Sequence, residues 1–255
     1  MPDQLAEAAK GRFPGSNRMR TIAIDSSIFI GDNLGFKSSK YEELKKLAIA
    51  NKIKILVPDL VIREVKANIK SSIREAQQAH QSFTKKARIL RNLPDRFPNL
   101  FDEFSHEEMH KELSGQFDSY LKESKTVILD SSSLCDQKIM DKYFNGEPPF
   151  KSGGTTVLKS DDKRFEFPDA IAIGSIEKWA TENKTSVEVV SADHGWQEAC
   201  TRSERLTHCE SIQNFIDQTL QEISNTAAVE KAAQLQAQNF MQMITDRISN
   251  FGFYL

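Results

Sequence analysis

Four acidic residues, Asp25, Glu64, Asp169 and Asp193, each stand directly after or beside an apolar run. Asp25 follows Thr21-Ile22-Ala23-Ile24, and Glu64 lies one turn into the segment after Ile53-Lys54-Ile55-Leu56-Val57-Pro58. Asp169 is next to Pro168 at the head of an apolar stretch, and Asp193 follows Val187 to Ser191. Gathered at one place, such carboxylates repel one another unless a cation sits among them. Hard oxygen donors suit Mg2+ or Mn2+, ions that keep several waters and bind substrate phosphate. Taken singly, each acid has a plainer reading as a helix cap, a turn residue or a solvated side chain. Their joint pattern is what points to metal-assisted chemistry. A second motif competes with it. His106-Glu107-Glu108-Met109-His110 fits HExxH, which places two imidazoles on one helical face with a Glu as base, as in zinc peptidases. The surrounding stretch is strongly acidic and offers no clear third ligand, so a solvated helix is the plainer reading there.

The elements that must position the acids follow from the apolar patterning. Thr21 to Phe29 opens with a β-branched strand that ends on Asp25, followed by Ser26 and Ser27. It reads as the central strand of a parallel sheet, because strands buried on both faces are near-continuous apolar runs. Lys40 to Asn51 carries Leu44, Leu47 and Ala48 at helical spacing, and Ile53 to Pro58 is a second strand. Strand, helix and strand form a right-handed βαβ unit. Asp59 is placed as the N-cap of a long helix reaching about Leu93. Further helices are expected near Asn99 to Ser124 and Asp136 to Phe144, with an irregular loop from Gly146 to Arg164. Pro168 then opens a helix containing Ile171, Ile173, Ile176 and Trp179. Val187 to Val190 is a strand, Leu206 to Cys209 an edge strand, and the chain is helical from Ser211 to Asn250. The stripe Leu220, Ile223, Ala227, Leu235, Phe240, Ile244 and Ile248 reads as a helix covering the core, with a homodimer seam as the alternative. No internal repeat is present. The expected architecture is α/β: three layers, α/β/α, around a central parallel sheet, with a helical insertion and a C-terminal helix. All four acids then fall at the carboxyl edge of one sheet, where open α/β folds bind ligands.

A chain of 255 residues, 39% hydrophobic and 27% charged, is an ordinary globular protein that needs no disulfide or metal staple. Its three cysteines form no CxxC pair, which argues against a disulfide framework and for a reducing compartment. No apolar run approaches the roughly 18 residues of a membrane span, and no signal sequence opens the chain, so a cytoplasmic location without membrane contact is expected. The net charge of −2 excludes indiscriminate nucleic-acid coating but conceals a dipolar chain. From Arg63 to Arg91 eight basic residues face two acids, whereas Asp95 to Glu147 holds twelve acids and six bases. Lys66, Lys70 and Arg74, which follow Glu64, are the candidates for nucleic-acid backbone contacts.

The motifs resemble those of the PIN domain, a metal-dependent nuclease fold. Asp25-Ser26-Ser27-Ile28-Phe29 is similar to its opening Asp-Thr-Asn motif, with Ser in place of both Thr and Asn. Val57-Pro58-Asp59-Leu60-Val61-Ile62-Arg63-Glu64-Val65 resembles the second motif, whose Glu is a ligand. Pro168-Asp169-Ala170-Ile171 resembles the third, and Val189-Val190-Ser191-Ala192-Asp193-His194-Gly195-Trp196 the fourth. Gly146-Glu147-Pro148-Pro149-Phe150 ahead of Phe167-Pro168-Asp169 looks like the larger bacterial PIN-like subgroup. The resemblance implies a nuclease domain over residues 19–215 with a helical insertion at about 95–165. Residues 1–18 would be an extension or expression remnant, and 216–255 a helical tail. It further implies phosphodiester hydrolysis, most often of RNA, with Asp25, Glu64, Asp169 and Asp193 holding Mg2+ or Mn2+ and Ser26, Ser27 and Ser191 supporting them. A toxin or phage-defence setting and an antitoxin or other regulatory partner belong to the same implication. The alternatives are a catalytically weak partner-binding module and the zinc peptidase.

Overall fold

The structure, a computed structural model, describes residues 19–93, 95–97, 99–102, 104–132, 137–145, 147–149 and 166–250. The stretch 1–18, most of the loop Gly146 to Arg164 and the closing Phe251 to Leu255 lie outside the described residues. Five strands, β1 (Arg20–Ile24), β2 (Ile53–Pro58), β3 (Val127–Leu129), β4 (Val187–Val190) and β5 (Leu206–Cys209), form one sheet in the order β3-β2-β1-β4-β5. The sheet is all parallel, and helices flank it in a three-layer α/β/α arrangement. Ile22, Ala23 and Ile24 are fully buried, as a strand with a neighbour on each side and a helical layer on each face requires. Strand β1 registers Ile22 against Ile55 on one side and Ile24 against Val190 on the other. Chain order runs outward from β1 through β2 to β3, then crosses back to β4. The gap outside the carboxyl ends of β1 and β4 is therefore the topological switch point, where such sheets bind ligands.

Helix α1 (Ser26–Gly31) leaves β1 at once, and α2 (Ser39–Ile49) returns the chain to β2. Next, α3 (Asp59–Lys86) buries Val61, Val65, Ile69 and Ile73, an i, i+4 stripe. It stops seven residues short of the expected Leu93, in a 3-10 turn at Arg88–Asn92. Its N-cap is Pro58, so Asp59 is not the expected cap. The Asp59 carboxylate instead accepts from Ser131 N at 3.1 Å and from Arg63 at 2.9 Å.

The segment expected to be helical contains α4 (His106–Glu123), β3 and α5 (Gln137–Asn145). Strand β3 pairs Leu56 with Val127 and Pro58 with Leu129, so this segment completes the sheet. Helix α4 is equally integral. Its Phe117 and Tyr120 join Phe29, Phe36 and Tyr41 in a buried aromatic cluster, with ring centroids 4.8 Å apart for Phe36 and Phe117 and 5.3 Å for Phe29 and Phe117. Tyr41 donates to Asp32 at 2.8 Å, which fixes the turn after α1, and burial pushes the Tyr41 phenol up. Helices α6 (Phe167–Glu182) and α7 (His194–Arg202) flank β4 in sequence.

The chain divides into two compact units after His208. In the second, α8 (Ile212–Asn250) buries Ile212, Phe215, Ile216 and Thr219. Of the expected stripe, Leu220, Ala227, Leu235 and Phe240 are exposed and Ile223 and Ile244 half-buried. Among the described residues no helix is long and apolar enough to cross a membrane.

Candidate functional site

Asp25 is the first residue past β1. Its backbone N–H continues the ladder to Val190 O at 3.0 Å, and its side chain caps α1. The carboxylate is 2% exposed and accepts from four donors. Oδ1 takes Ser26 N at 2.6 Å and Ser26 Oγ at 3.3 Å, and Oδ2 takes Ser27 Oγ at 2.5 Å and Ser191 Oγ at 2.8 Å. Both of the latter hydroxyls also accept from the turn after β4. Ser27 Oγ receives Ala192 N at 3.1 Å, and Ser191 Oγ receives Asp193 N at 3.0 Å. A carboxylate offers about four lone-pair positions. Asp25 is thus saturated, and its charge is spread through Ser27 and Ser191 into the turn ahead of α7.

Asp193 is the N-cap of α7 and accepts from Trp196 N at 3.2 Å. Gly195 follows the cap. A Cβ there would come within 3.0 Å of Asp193 Oδ1 and 3.1 Å of the Pro149 carbonyl oxygen, so a larger residue would make the cap and the 147–149 segment give by a few tenths of an ångström.

Asp169 sits in the first turn of α6, half-buried, with Pro168 preorganising the helix start. Its Oδ1 accepts from Trp196 Nε1 at 3.0 Å, across 27 positions of sequence. Burial raises its pKa from 3.8 to about 7; the Trp196 hydrogen bond opposes the rise, and the charges of Asp25, Asp193 and Glu64 add to it. Glu64 is exposed on α3, near enough for Asp169 to sense its charge. The four acids expected from the sequence therefore share one electrostatic space, delivered by β1, α3, α6 and the turn after β4.

This donor set fits a hard divalent ion. All four groups are carboxylates, and their repulsion is, after burial, a visible cause of the raised Asp169 value. Among the described residues no three His, Cys, Asp or Glu side chains close into a ready cage. An ion of the Mg2+ type does not need one, since one or two carboxylates, waters and substrate phosphate complete its shell.

The basic candidates divide. Lys66 is two positions from Glu64, roughly 200° round the helix, and pairs with Asp118 of α4 at 2.7 Å. It is turned away from the acids. Lys70 and Arg74 are exposed on α3, each closer to the Glu64 side than Lys66 is. Helix α3 offers Asn68, Ser71 and Ser72 on the Glu64 face itself.

At the HExxH motif the two imidazoles stand parallel, 6.4 Å apart. His106 Nε2 lies 3.3 Å from Lys70 O, and His110 Nε2 lies 3.4 Å from Ser114 Oγ. No third donor joins them among the described residues. Both residues are half-buried, and His106 lies against the α3 backbone.

Sequence reasoning missed Trp196 as part of the site. The one available signal was its position three residues after an Asp cap, where its backbone amide was bound to be used. The reach of its indole to Asp169 had no signature in spacing.

A family model described as a PIN domain matches residues 22–196, a span that contains all four acids. Neither the curated proteins nor the solved structures include a match to the chain.

Proposed function

The chain belongs to the PIN domain family, whose members are generally metal-dependent nucleases, and on that premise we propose that it hydrolyses phosphodiester bonds with Mg2+ or Mn2+ as an endoribonuclease. The observation that carries this reading is the chain of hydrogen bonds at the topological switch point that links Asp25 through Ser191 to Asp193 and through Trp196 to Asp169. Asp169, Asp193 and Glu64 are the residues to hold the ion, with Asp25 fixed behind them. When bound, the ion supplies a more acidic water, an orientation for in-line attack and neutralisation of phosphate charge. Asp25 keeps the turn that carries Asp193 in register through Ser27 and Ser191. Lys70 and Arg74 contribute sequence-independent phosphate attraction that weakens with salt. An antitoxin-like or other regulatory protein that covers the acidic edge is part of the same proposal.

The test is a substrate panel of single-stranded RNA, single-stranded DNA and structured RNA, with Mn2+ and with chelator. Cleavage of RNA that requires the metal and is lost in Asp169→Asn supports the reading. Cleavage of none of the three, with Asp169→Asn indistinguishable from the parent, overturns it. One observation favours a second reading as a catalytically weak partner-binding module: the saturation of Asp25, which leaves that carboxylate no spare lone pair unless a hydroxyl turns away. The zinc peptidase has no such observation in its favour.

A further inference from the structure

We propose that Trp196 is a positioning residue that ties Asp169 and Asp193 into one metal-binding pair. The inference rests on the metal-dependent reading above and goes beyond it, because Trp196 belongs to neither the acidic set nor the core alone.

Trp196 is 1% exposed. A buried indole N–H is a donor only and must find an acceptor. Here the acceptor is a carboxylate on another helix, Asp169 Oδ1 at 3.0 Å. The same residue's backbone N–H donates to Asp193 Oδ1 at 3.2 Å. One residue therefore holds two acids that lie 24 positions apart in sequence. In both acids it occupies Oδ1, and no described residue donates to either Oδ2. Each carboxylate is thereby fixed in rotation and presents one oxygen that no described residue engages.

The contrast with other donors sharpens the role. Lys or Arg at this place would neutralise Asp169 and compete with a cation for it. A hydroxyl could swing away. The indole carries no charge, cannot titrate and has two side-chain torsions locked by full burial. It orients the carboxylate while leaving its negative charge for the ion. Its own anchoring comes from the α7 cap, so the alignment of Asp169 is inherited from Asp193.

Outer donors of this kind typically change metal affinity by about 10- to 100-fold when removed. The test is Mn2+ binding, read as loss of the free-ion electron paramagnetic resonance signal, together with thermal unfolding. The parent, Trp196→Phe and Trp179→Phe are compared. Trp179, the other tryptophan, lies over Lys54 and serves as the control. The expected result is Mn2+ affinity weaker by about tenfold or more in Trp196→Phe, with the Trp179→Phe value unchanged. Should Trp196→Phe fail to fold, the Trp179→Phe chain with its remaining tryptophan replaced by the benzothiophene isostere removes only the N–H. The same loss of affinity is expected there. If the parent binds Mn2+ and the N–H-deficient proteins bind it equally well, the positioning role is overturned while the metal site stands. If the parent binds no Mn2+, the metal-dependent reading falls, and the proposal with it.

Discussion

Asp25 and Asp169 are carboxylates of one sheet edge, yet their surroundings compensate them differently. Asp25 accepts from four donors, two of them relaying to backbone amides. Asp169 accepts from one described donor and carries the field of three other acids, which together with burial holds its pKa near 7. The fold thus completes one charge and leaves the other unfinished. A completed charge is a structural commitment, because its donors were desolvated to serve it. An unfinished one is a binding site for a cation or a proton.

The largest effect expected from this difference is at Asp25. Asp25→Ala removes the acceptor for three serine hydroxyls and one amide inside the sheet edge. Each buried donor left unpaired costs about 1–3 kcal/mol, so a loss of about 3 kcal/mol is expected after relaxation. Nuclease activity should disappear with it, since the turn carrying Asp193 loses its anchor. Thermal unfolding measures the first and RNA cleavage the second. A variant as stable as the parent would show that the serines are adequately served by water, and the contrast with Asp169 would collapse.

Asp169→Asn should abolish activity too, but with the opposite sign in stability. The folded value near 7 lies above the ordinary 3.8, so the native state holds this proton more tightly than the unfolded chain does. The penalty is absent below about 3.8, grows as pH rises, and is complete above about 7. Asn removes it. Partial exposure reduces the effect to the order of 1 kcal/mol, or about 2–4 °C in midpoint. Metal-free Asp169→Asn should therefore unfold at a higher temperature than the parent at pH 8 and at the same temperature near pH 3.5. Adding Mn2+ at pH 8 should stabilise the parent alone, by about 2.7 kcal/mol at a hundredfold excess over its dissociation constant. Equal midpoints at pH 8 without metal would mean that Asp169 is already compensated.

The two acids were equally legible in the sequence, and their difference was not. Thr21 to Ile24 announces a buried strand by composition, and the residue after such a strand must lie at the sheet edge. Pro168 announces a helix start with equal clarity. Neither pattern carries the partners that decide the chemistry, since Ser191 meets Asp25 across 166 positions and Trp196 reaches Asp169 by a side-chain contact. Strand β3 was hidden for a different reason. Val127-Ile128-Leu129 is too short to show alternation and lies between charged segments that read as helix. Likewise, the α3 boundary was placed late because Ala87 to Leu93 keeps a helical composition while the backbone tightens into a 3-10 turn. Local propensity located the carboxylates, and tertiary pairing assigned their states.

The smallest effect is expected where the completed charge meets solvent. Ser27 is half-buried and Ser191 is 2% exposed, although both donate to the same oxygen of Asp25. In Ser191→Ala the buried Asp25 Oδ2 loses a donor and the amide of Asp193 loses its acceptor, which costs about 1–2 kcal/mol. In Ser27→Ala a water can enter and serve both Asp25 Oδ2 and Ala192 N, so the loss should stay near 0.5 kcal/mol. The same substitution frees a lone pair on Asp25 toward solvent, and Mn2+ affinity should hold or rise even as stability falls slightly. Chemical denaturation of both variants, with Mn2+ titration of each, reads the two effects separately. A Ser27→Ala loss as large as that of Ser191→Ala would extend the closed, saturated region to the surface and leave Asp25 no route to a metal.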